Sequence, residues 1–399
     1  MSRLQQVIKV LYSKIFSYTP EEIELEKNNI ERLLKEGIKE NTILLIEPNP
    51  FHGECLPSYV NYFLEFGFNV HLFTSKENII ENPFINCNFP EDKFKIISFE
   101  KVPSIDYFMK YLLNYKYIFL TSMLFLGNTY YANLLYENYS IKYKKNNLFL
   151  ISHELDSTKY SSNFEILHQN NIFVLRQGVQ KNELTKEFPF VSPIYFGEFP
   201  DLIKEKKAEI VKFLAVGGNY KKNLRNYDNI IDSMRKLRDS GITNFEIIFI
   251  GNPNQEFKEK ANKEFAENIR FTGRVNFADL YKYHQECDYI LFNIDKNTAE
   301  YELYLHKKIS GSYSTSIGFL RPGLIDSDLA KEYKLENCSI CYDEGKLLDA
   351  MKQAILLPQN KYIDLQNNLK QLSEILQKQS KENLKEYFYD KSICHNTDI

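Results

Sequence analysis

A glycine-rich turn followed by basic residues is the clearest candidate for chemistry in the sequence. Residues 216–226 read VGGNYKKNLRN and follow an apolar run. Glycine lets the backbone approach a ligand closely, and the start of a helix favours an anion. The pattern predicts a diphosphate site formed by Gly217, Gly218, Asn219, Lys222 and Arg225. The alternative is an ordinary strand-to-helix turn with solvated lysines.

A second group of side chains could take up a proton. His52 and Glu54 lie on either side of Gly53 in a loop after one apolar run, and His153 follows another. Imidazoles and carboxylates are common general bases for activating a hydroxyl. We therefore interpret His52, Glu54 and His153 as candidate catalytic residues, with Glu154 and Asp156 as further candidates. The alternative is a structural or solvated histidine, which is the more common role of a single histidine in a loop.

A third candidate is the turn formed by Ser310, Gly311 and Ser312. Its N–H groups and hydroxyls could meet a nucleotide phosphate or ribose. The alternative is the capped start of a helix. The sequence contains no Asp-x-Asp motif with apolar flanks, so we expect no metal site.

The elements that position these residues alternate between strands and helices. Apolar runs at 42–46, 69–74, 117–121, 147–152 and 172–175 predict strands in the first half. Runs at 211–216, 245–250, 269–272 and 289–292 predict strands in the second half. Helical spacing covers 56–66, 226–239, 277–285 and 363–389. Short apolar strands separated by helices are typical of α/β folds with doubly wound parallel sheets.

The same pattern predicts the division into domains. We expect an N-terminal helical extension at 1–40, one Rossmann-like domain at 41–198, a second at 205–360, and a C-terminal helix at 361–399 that crosses back to the first domain. The charged run KEKKAE at 204–209 is interpreted as part of the linker. Residues 1–18 have apolar residues at helical spacing, with Arg3, Lys9 and Lys14 as their charges. They are interpreted either as a peripheral membrane contact or as a packed helix.

Composition excludes several classes of protein. The chain has 399 residues, a net charge of -3 and 26% charged residues, so a nucleic-acid partner is not expected. No apolar run reaches the length of a membrane span. The six cysteines include one C-x-x-C, Cys338 and Cys341, without the partners of a zinc site. These features indicate a cytoplasmic protein with reduced thiols.

Residues 269–292, IRFTGRVNFADLYKYHQECDYILF, carry a family resemblance. They resemble the C-terminal domain of GT-B glycosyltransferases, in which this segment lies between the diphosphate loop and the sugar-donor pocket. The loop at His52 and the segment ISHE at 151–154 look like the family's N-terminal domain. The resemblance implies two Rossmann-like domains facing across a cleft. It places Gly217–Arg225, with Arg274, at the donor diphosphate.

The resemblance also implies an activity. A GT-B enzyme would move a sugar from a nucleotide-sugar, its co-substrate, to a hydroxyl of a glycan or lipid-linked acceptor. It would use no metal and no other cofactor. The resemblance favours bacterial cell-surface polysaccharide or lipooligosaccharide synthesis, in the cytoplasm or at the inner membrane. The alternatives are a sugar-nucleotide epimerase or hydrolase, and a catalytically inactive scaffold that binds a glycan or protein partner.

One motif departs from the family. Many retaining members carry two glutamates, eight positions apart, before a Gly-x-Pro. Residues 307–325 read KKISGSYSTSIGFLRPGLI and contain no acidic residue. The family positions would fall on Leu305 and Tyr313, or on Lys307 and Thr315. Glu300 and Glu302 lie upstream. Retention and inversion of the anomeric centre both stay open.

Overall fold

The structure is a computed structural model that describes residues 19–35, 38–47, 52–100, 107–108, 111–122, 148–153, 172–179, 187–206, 209–217, 225–343 and 345–388. These residues form two compact units. The N-terminal unit comprises the described residues up to Leu175, Tyr195–Glu198 and the residues from Asn383 onward. The C-terminal unit comprises the described residues of Arg176–Ile194 and Phe199–Glu382. No helix in this part of the chain combines the length and the apolar character that spanning a bilayer requires.

The N-terminal unit is built on a parallel sheet. Its strands are β1 (Thr42–Glu47), β2 (Asn69–Ser75), β3 (Phe94–Phe99), β4 (Tyr117–Leu120), β5 (Leu148–Ser152) and β6 (Ile172–Val174). The order across the sheet is β3-β2-β1-β4-β5-β6. Its described helices are α1 (Pro20–Lys35), α2 (Leu56–Glu65) and α3 (Lys76–Glu81), with 3₁₀ turns at Gly53–Cys55 and Leu112–Asn114.

The C-terminal unit repeats this architecture. Its strands are β7 (Val211–Val216), β8 (Phe245–Ile250), β9 (Ile269–Gly273), β10 (Tyr289–Leu291), β11 (Gly323–Asp326) and β12 (Ile340–Tyr342), in the order β12-β11-β10-β7-β8-β9. Its helices are α4 (Tyr227–Asp239), α5 (Gln255–Phe265), α6 (Phe277–Glu286), α7 (Ala299–His306), α8 (Gly311–Gly318), α9 (Ser327–Tyr333) and α10 (Leu347–Leu356). A 3₁₀ turn covers Glu336–Cys338, and α11 (Gln359–Phe388) ends the described chain.

The predicted fold class, α/β with two doubly wound Rossmann-like domains, is confirmed. The central strands are apolar throughout because helices cover both faces of a doubly wound sheet. All six residues of β1 are buried, for example. Among the described residues, one core cluster lies around β1 and β4 in the N-terminal unit and another around β7 and β8 in the C-terminal unit.

Three strands escaped the sequence-based prediction. β3 is an edge strand whose residues Phe94, Lys95 and Ile96 are only half-buried, so it lacks a continuous apolar run. β11 follows Pro322 and consists of Gly323, Leu324, Ile325 and Asp326, while β12 has only three residues. Such short segments carry too little periodicity to be distinguished from loops.

An aromatic cluster fixes the end of α11 in the N-terminal unit. The Phe388 ring lies 5.2 Å from that of Phe63 and 4.4 Å from that of Phe149, between ring centroids. It also forms edge-to-face contacts with the rings of Phe68 and Tyr117. These contacts place the last turn of the helix against the N-terminal sheet.

Two lysines of the charged run at 204–209 form hydrogen bonds within the C-terminal unit. Lys206 Nζ donates to the carbonyls of Ala354, Ile355 and Leu357, at 3.0, 2.8 and 2.8 Å, where α10 ends. Lys204 Nζ donates to the carbonyl of Gln285 at 2.6 Å, near the end of α6. Cations at the C-terminus of a helix satisfy its last carbonyls and favour its dipole. Burial lowers the pKa of Lys206, and the Asp288 charge opposes that shift.

We predict that Lys206→Met lowers the free energy of unfolding by about 1.5–3 kcal/mol, because three carbonyls lose a charged donor. Chemical denaturation of the full chain measures the effect. Lys361→Met is the matched control, since Lys361 is exposed and pairs only with Asp364 one turn away among the described residues. Equal stabilities for the two variants would contradict a role for Lys206 in holding α10.

Candidate functional site

Each sheet has one switch point, a place between two neighbouring strands from which the chain continues toward opposite edges of the sheet. In the N-terminal unit it lies between β1 and β4, and in the C-terminal unit between β7 and β10. Ligands of doubly wound sheets bind beyond the carboxyl ends of the strands at such a switch point. The site residues are therefore described around these two places, one in each unit.

Glu47 occupies the switch point of the N-terminal unit. It is the last residue of β1 and is 0% exposed. Its Oε2 accepts from Thr121 Oγ1 at 2.9 Å, and its Oε1 accepts from Ser122 Oγ at 2.7 Å. Both donors follow β4, so the carboxylate bridges the two strands. Sequence reasoning missed Glu47, because a glutamate at the end of an apolar run is usually solvated.

Two of the predicted bases come together beside this carboxylate. The His52 and His153 rings lie 4.2 Å apart between centroids. His153 Nε2 lies 3.0 Å from the Thr121 carbonyl oxygen. Burial lowers the pKa of His153 to about 4, and burial and the neighbouring His153 lower that of His52 to about 3. Both imidazoles are therefore neutral at neutral pH and able to accept a proton.

Glu54, the third predicted base, lies in the 3₁₀ turn between His52 and α2. Burial, together with the charges of Glu47 and Glu81, raises the pKa of its carboxyl to about 7, and the hydrogen bond from its own backbone opposes this shift. A carboxyl group with such a pKa exchanges a proton readily at neutral pH. Glu154 and Asp156, the two further candidates, lie outside the described residues.

In the C-terminal unit the side chain at the switch point is positive. Arg225 Nη1 donates to the Phe292 carbonyl at 2.5 Å, and Nη2 lies 3.4 Å from that of Val216. These carbonyls lie at the ends of β10 and β7, so the guanidinium crosses the gap between the two strands. Burial lowers the pKa of Arg225, but an arginine remains charged in proteins.

Gly217 makes room for this arrangement. Its φ is +97°, and a Cβ there would lie 3.2 Å from Arg225 Nη2. The next two strands also end at glycines with positive φ, Gly251 at +108° and Gly273 at +72°. Gly217 N–H donates to the Ile250 carbonyl at 3.0 Å and Gly251 N–H to that of Gly273 at 2.8 Å. The carboxyl ends of β7, β8 and β9 thus form a ledge without side chains at these positions.

The other predicted donor residues are distributed along the same edge of the sheet. Arg274 is exposed directly after β9, two strands from β7. Ser310 and Ser312 are buried, and Ser310 Oγ accepts from the Ser312 N–H at 3.3 Å as the cap of α8. Gly311 between them is exposed, and a Cβ there would meet no atom within 4 Å. Gly218, Asn219 and Lys222 lie outside the described residues.

The segment that lacks the family's acidic pair is a buried aromatic cluster. Tyr313 is fully buried, and its ring lies 5.3 Å from that of Tyr333. The Arg176 guanidinium lies over the Tyr333 ring at 5.3 Å, and its Nη2 donates to the Leu305 carbonyl at 2.7 Å. Glu300 and Glu302 are exposed on α7.

No cluster of three or more histidine, cysteine, aspartate or glutamate side chains suited to a metal ion occurs in the described ranges. The C-x-x-C pair has free thiols, Cys338 and Cys341. Burial raises the pKa of each to about 11, which makes both thiols unreactive at neutral pH.

Comparison with solved structures identifies the fold as GT-B. Sucrose-phosphate synthase from Thermosynechococcus elongatus is 12% identical, with a TM-score of 0.55 over 89% of this chain and 100% of that one. A glycosyltransferase from Rickettsia africae is 10% identical, with a TM-score of 0.56 over 88% and 98%. The Anabaena protein HepE in complex with UDP-glucose is 10% identical, with a TM-score of 0.56 over 86% and 99%.

These likenesses confirm the resemblance at the level of the fold: the chain has the GT-B fold. No protein-family model matches the sequence, and no curated protein matches it at the level of sequence. The residues of the two switch points therefore carry the argument about function.

We predict that Glu54→Gln stabilises the protein above pH 7. Below pH 4.5 the Glu54 carboxyl is protonated in both the folded and the unfolded chain. It then does not lower the free energy of unfolding. Between pH 4.5 and 7 the folded state keeps a proton that the unfolded state releases, so stability falls as pH rises. At pH 8 the variant should gain about 2–3 kcal/mol in unfolding free energy, and at pH 4.5 almost none.

Urea denaturation at the two pH values measures this difference. Glu77→Gln, at an exposed position on α3, is the matched control. A gain from Glu54→Gln that is the same at pH 4.5 and pH 8 would show that burial does not perturb this carboxyl.

Proposed function

We propose that the protein is a metal-independent glycosyltransferase. It moves a sugar from a nucleotide-sugar donor bound by the C-terminal unit to a hydroxyl of an acceptor bound by the N-terminal unit. The observation that carries the proposal is the opposite charge of the two switch points, Arg225 in one unit and Glu47 in the other. A diphosphate is attracted to the first and repelled by the second.

The C-terminal unit has the features that a donor diphosphate needs. The ledge of Gly217, Gly251 and Gly273 allows close approach, and Arg225 supplies a fixed positive charge. Lys222 and Arg274 are proposed to neutralise the leaving diphosphate, and the exposed start of α8 at Gly311 to meet the nucleotide. The UDP-glucose named for HepE makes a UDP-sugar the first donor to test.

The N-terminal unit has the features that an acceptor hydroxyl needs. His52 and His153 are neutral, and Glu54 holds its proton loosely. In the proposed reaction one of these three groups takes the proton of the acceptor hydroxyl. At the same time the hydroxyl oxygen bonds to the anomeric carbon of the donor sugar. The bond from that carbon to the phosphate oxygen breaks, and its electron pair leaves with the nucleoside diphosphate. No oxidant or other co-reactant is required.

The acceptor is proposed to be a glycan or a lipid-linked sugar of the bacterial cell surface, and the reaction to take place in the cytoplasm or at the inner membrane. Residues 1–18 would supply the membrane contact and lie outside the described residues. Sedimentation with anionic liposomes tests this contact, which deletion of residues 1–18 should abolish.

A catalytically inactive scaffold is the second candidate. Tyr313, buried against Tyr333, stands at one of the positions where many GT-B enzymes carry an acid, and this observation favours a binding protein. Such a protein would bind a nucleotide or a glycan without turnover.

The test is thermal unfolding of the full chain with UDP, GDP, ADP, dTDP and CMP. We expect one nucleotide to raise the midpoint, since a ligand at 100 times its dissociation constant stabilises a fold by about 2.7 kcal/mol. Lys222→Met and Arg225→Met should each weaken that response about tenfold or more, because each removes a charged hydrogen bond. Arg238→Met, at an exposed position late in α4, is the matched control.

If Arg225→Met unfolds the chain, Lys222→Met still tests the site. No response to any nucleotide at millimolar concentration would remove the donor site and favour the scaffold. A selective response without sugar transfer to any acceptor would favour the scaffold as well.

A further inference from the structure

Glu47 lies next to the proposed bases but has no role in the function as proposed so far. Three strands hold it. Thr74 Oγ1 on β2 donates to the Glu47 main-chain carbonyl at 2.8 Å. The Glu47 side chain accepts from Thr121 and Ser122 after β4. A carboxylate with no exposed surface is costly unless such donors satisfy it. The position of Glu47 is therefore closely specified.

Through these bonds Glu47 fixes the peptide that contacts His153. The Thr121 N–H donates to the Ile46 carbonyl at 3.0 Å, and the Thr121 hydroxyl lies 3.1 Å from that carbonyl and 2.9 Å from Glu47 Oε2. With its N–H and hydroxyl both held, the Thr121 residue directs its carbonyl at His153 Nε2, 3.0 Å away.

This contact determines where the proton of His153 lies. A carbonyl oxygen can only accept, so Nε2 must be the donor and carry the hydrogen. A neutral imidazole has one hydrogen, so Nδ1 then holds the free lone pair. The atom of His153 that can accept a proton is Nδ1.

We propose that Glu47 is a positioning residue, which holds the Thr121–Ser122 segment so that His153 keeps its proton on Nε2 and presents Nδ1 as the proton acceptor. The catalytic use of Nδ1 rests on the function proposed above, whereas the tautomer itself does not.

The groups around this site are few among the described residues. Glu47 comes from β1, His52 and Glu54 from the loop and 3₁₀ turn before α2, and Glu81 from α3. Cys55 and Tyr59 follow on the same side of the unit and are buried, and burial raises the pKa of both.

The experiment is nitrogen NMR of the full chain with its seven histidines labelled. The His153 signals are identified by their loss in His153→Gln. In the unchanged protein we expect the hydrogen on Nε2. In Glu47→Ala the ratio of the Nε2–H to the Nδ1–H form should fall about tenfold or more, the effect of losing one buried hydrogen bond.

Two further variants keep the test decisive. Glu47→Gln preserves the volume of the side chain and serves as the test if Glu47→Ala does not fold. The ratio of the Nε2–H to the Nδ1–H form of His153 should fall in Glu47→Gln as well. Glu100→Ala removes an exposed carboxylate next to the end of β3 and should leave the ratio unchanged. A hydrogen on Nδ1 in the unchanged protein, or an unaltered ratio in the folded Glu47 variants, would overturn the inference.

The measurement needs neither donor nor acceptor, so its failure is distinct from failure of the proposed function. If the protein transfers sugar but the His153 tautomer does not depend on Glu47, the proposed function stands and the positioning role is wrong. If the tautomer depends on Glu47 while no nucleotide binds, the positioning role stands and the transferase proposal falls.

Discussion

One interaction recurs in both units: a charged side chain bridges the two strands at the place where the doubly wound sheet reverses its strand order. Glu47 bridges β1 and β4, and Arg225 bridges β7 and β10. A charge removed from water has to be matched by hydrogen bonds. Those of the Glu47 side chain come from the residues after β4, and those of Arg225 go to carbonyls at the ends of both β7 and β10. The two switch points therefore carry side chains of opposite charge before any ligand binds.

In the proposed function this difference in charge divides the chemistry between the units. Around Glu47 the described ionisable groups are carboxyls and neutral imidazoles, which suit a neutral hydroxyl and its proton. Around Arg225 the strand ends are glycines, which suit the close approach of a charged diphosphate. The arrangement costs stability, because burial holds the pKa of Glu54 above that of an exposed carboxyl and the pKa of both histidines below their usual value. Natural proteins commonly accept such costs at functional sites.

Apolar runs predicted the fold well, because strands covered on both faces are apolar throughout, as in β1 and β8. They failed at β3, where half-buried Lys95 interrupts the pattern, and at β12, which is too short to show one. Strand ends also brought His52 and His153 together as expected, since parallel strands end at one edge. Glu47 and Lys206 could not be found this way, because their partners lie 74 and about 150 residues away in the chain. Only the folded structure shows that Glu47 is buried, that Lys206 is half-buried and that hydrogen bonds match both charges.

The division of charge between the two units is tested most directly by hydrogen exchange of the whole protein, with and without a saturating nucleoside diphosphate. The account predicts slower exchange at the carboxyl ends of β7, β8 and β9, near Gly217, Gly251 and Gly273, and no change near Glu47 and His52. Slower exchange at the ends of β1 and β4, with none at the glycine ledge, would contradict it.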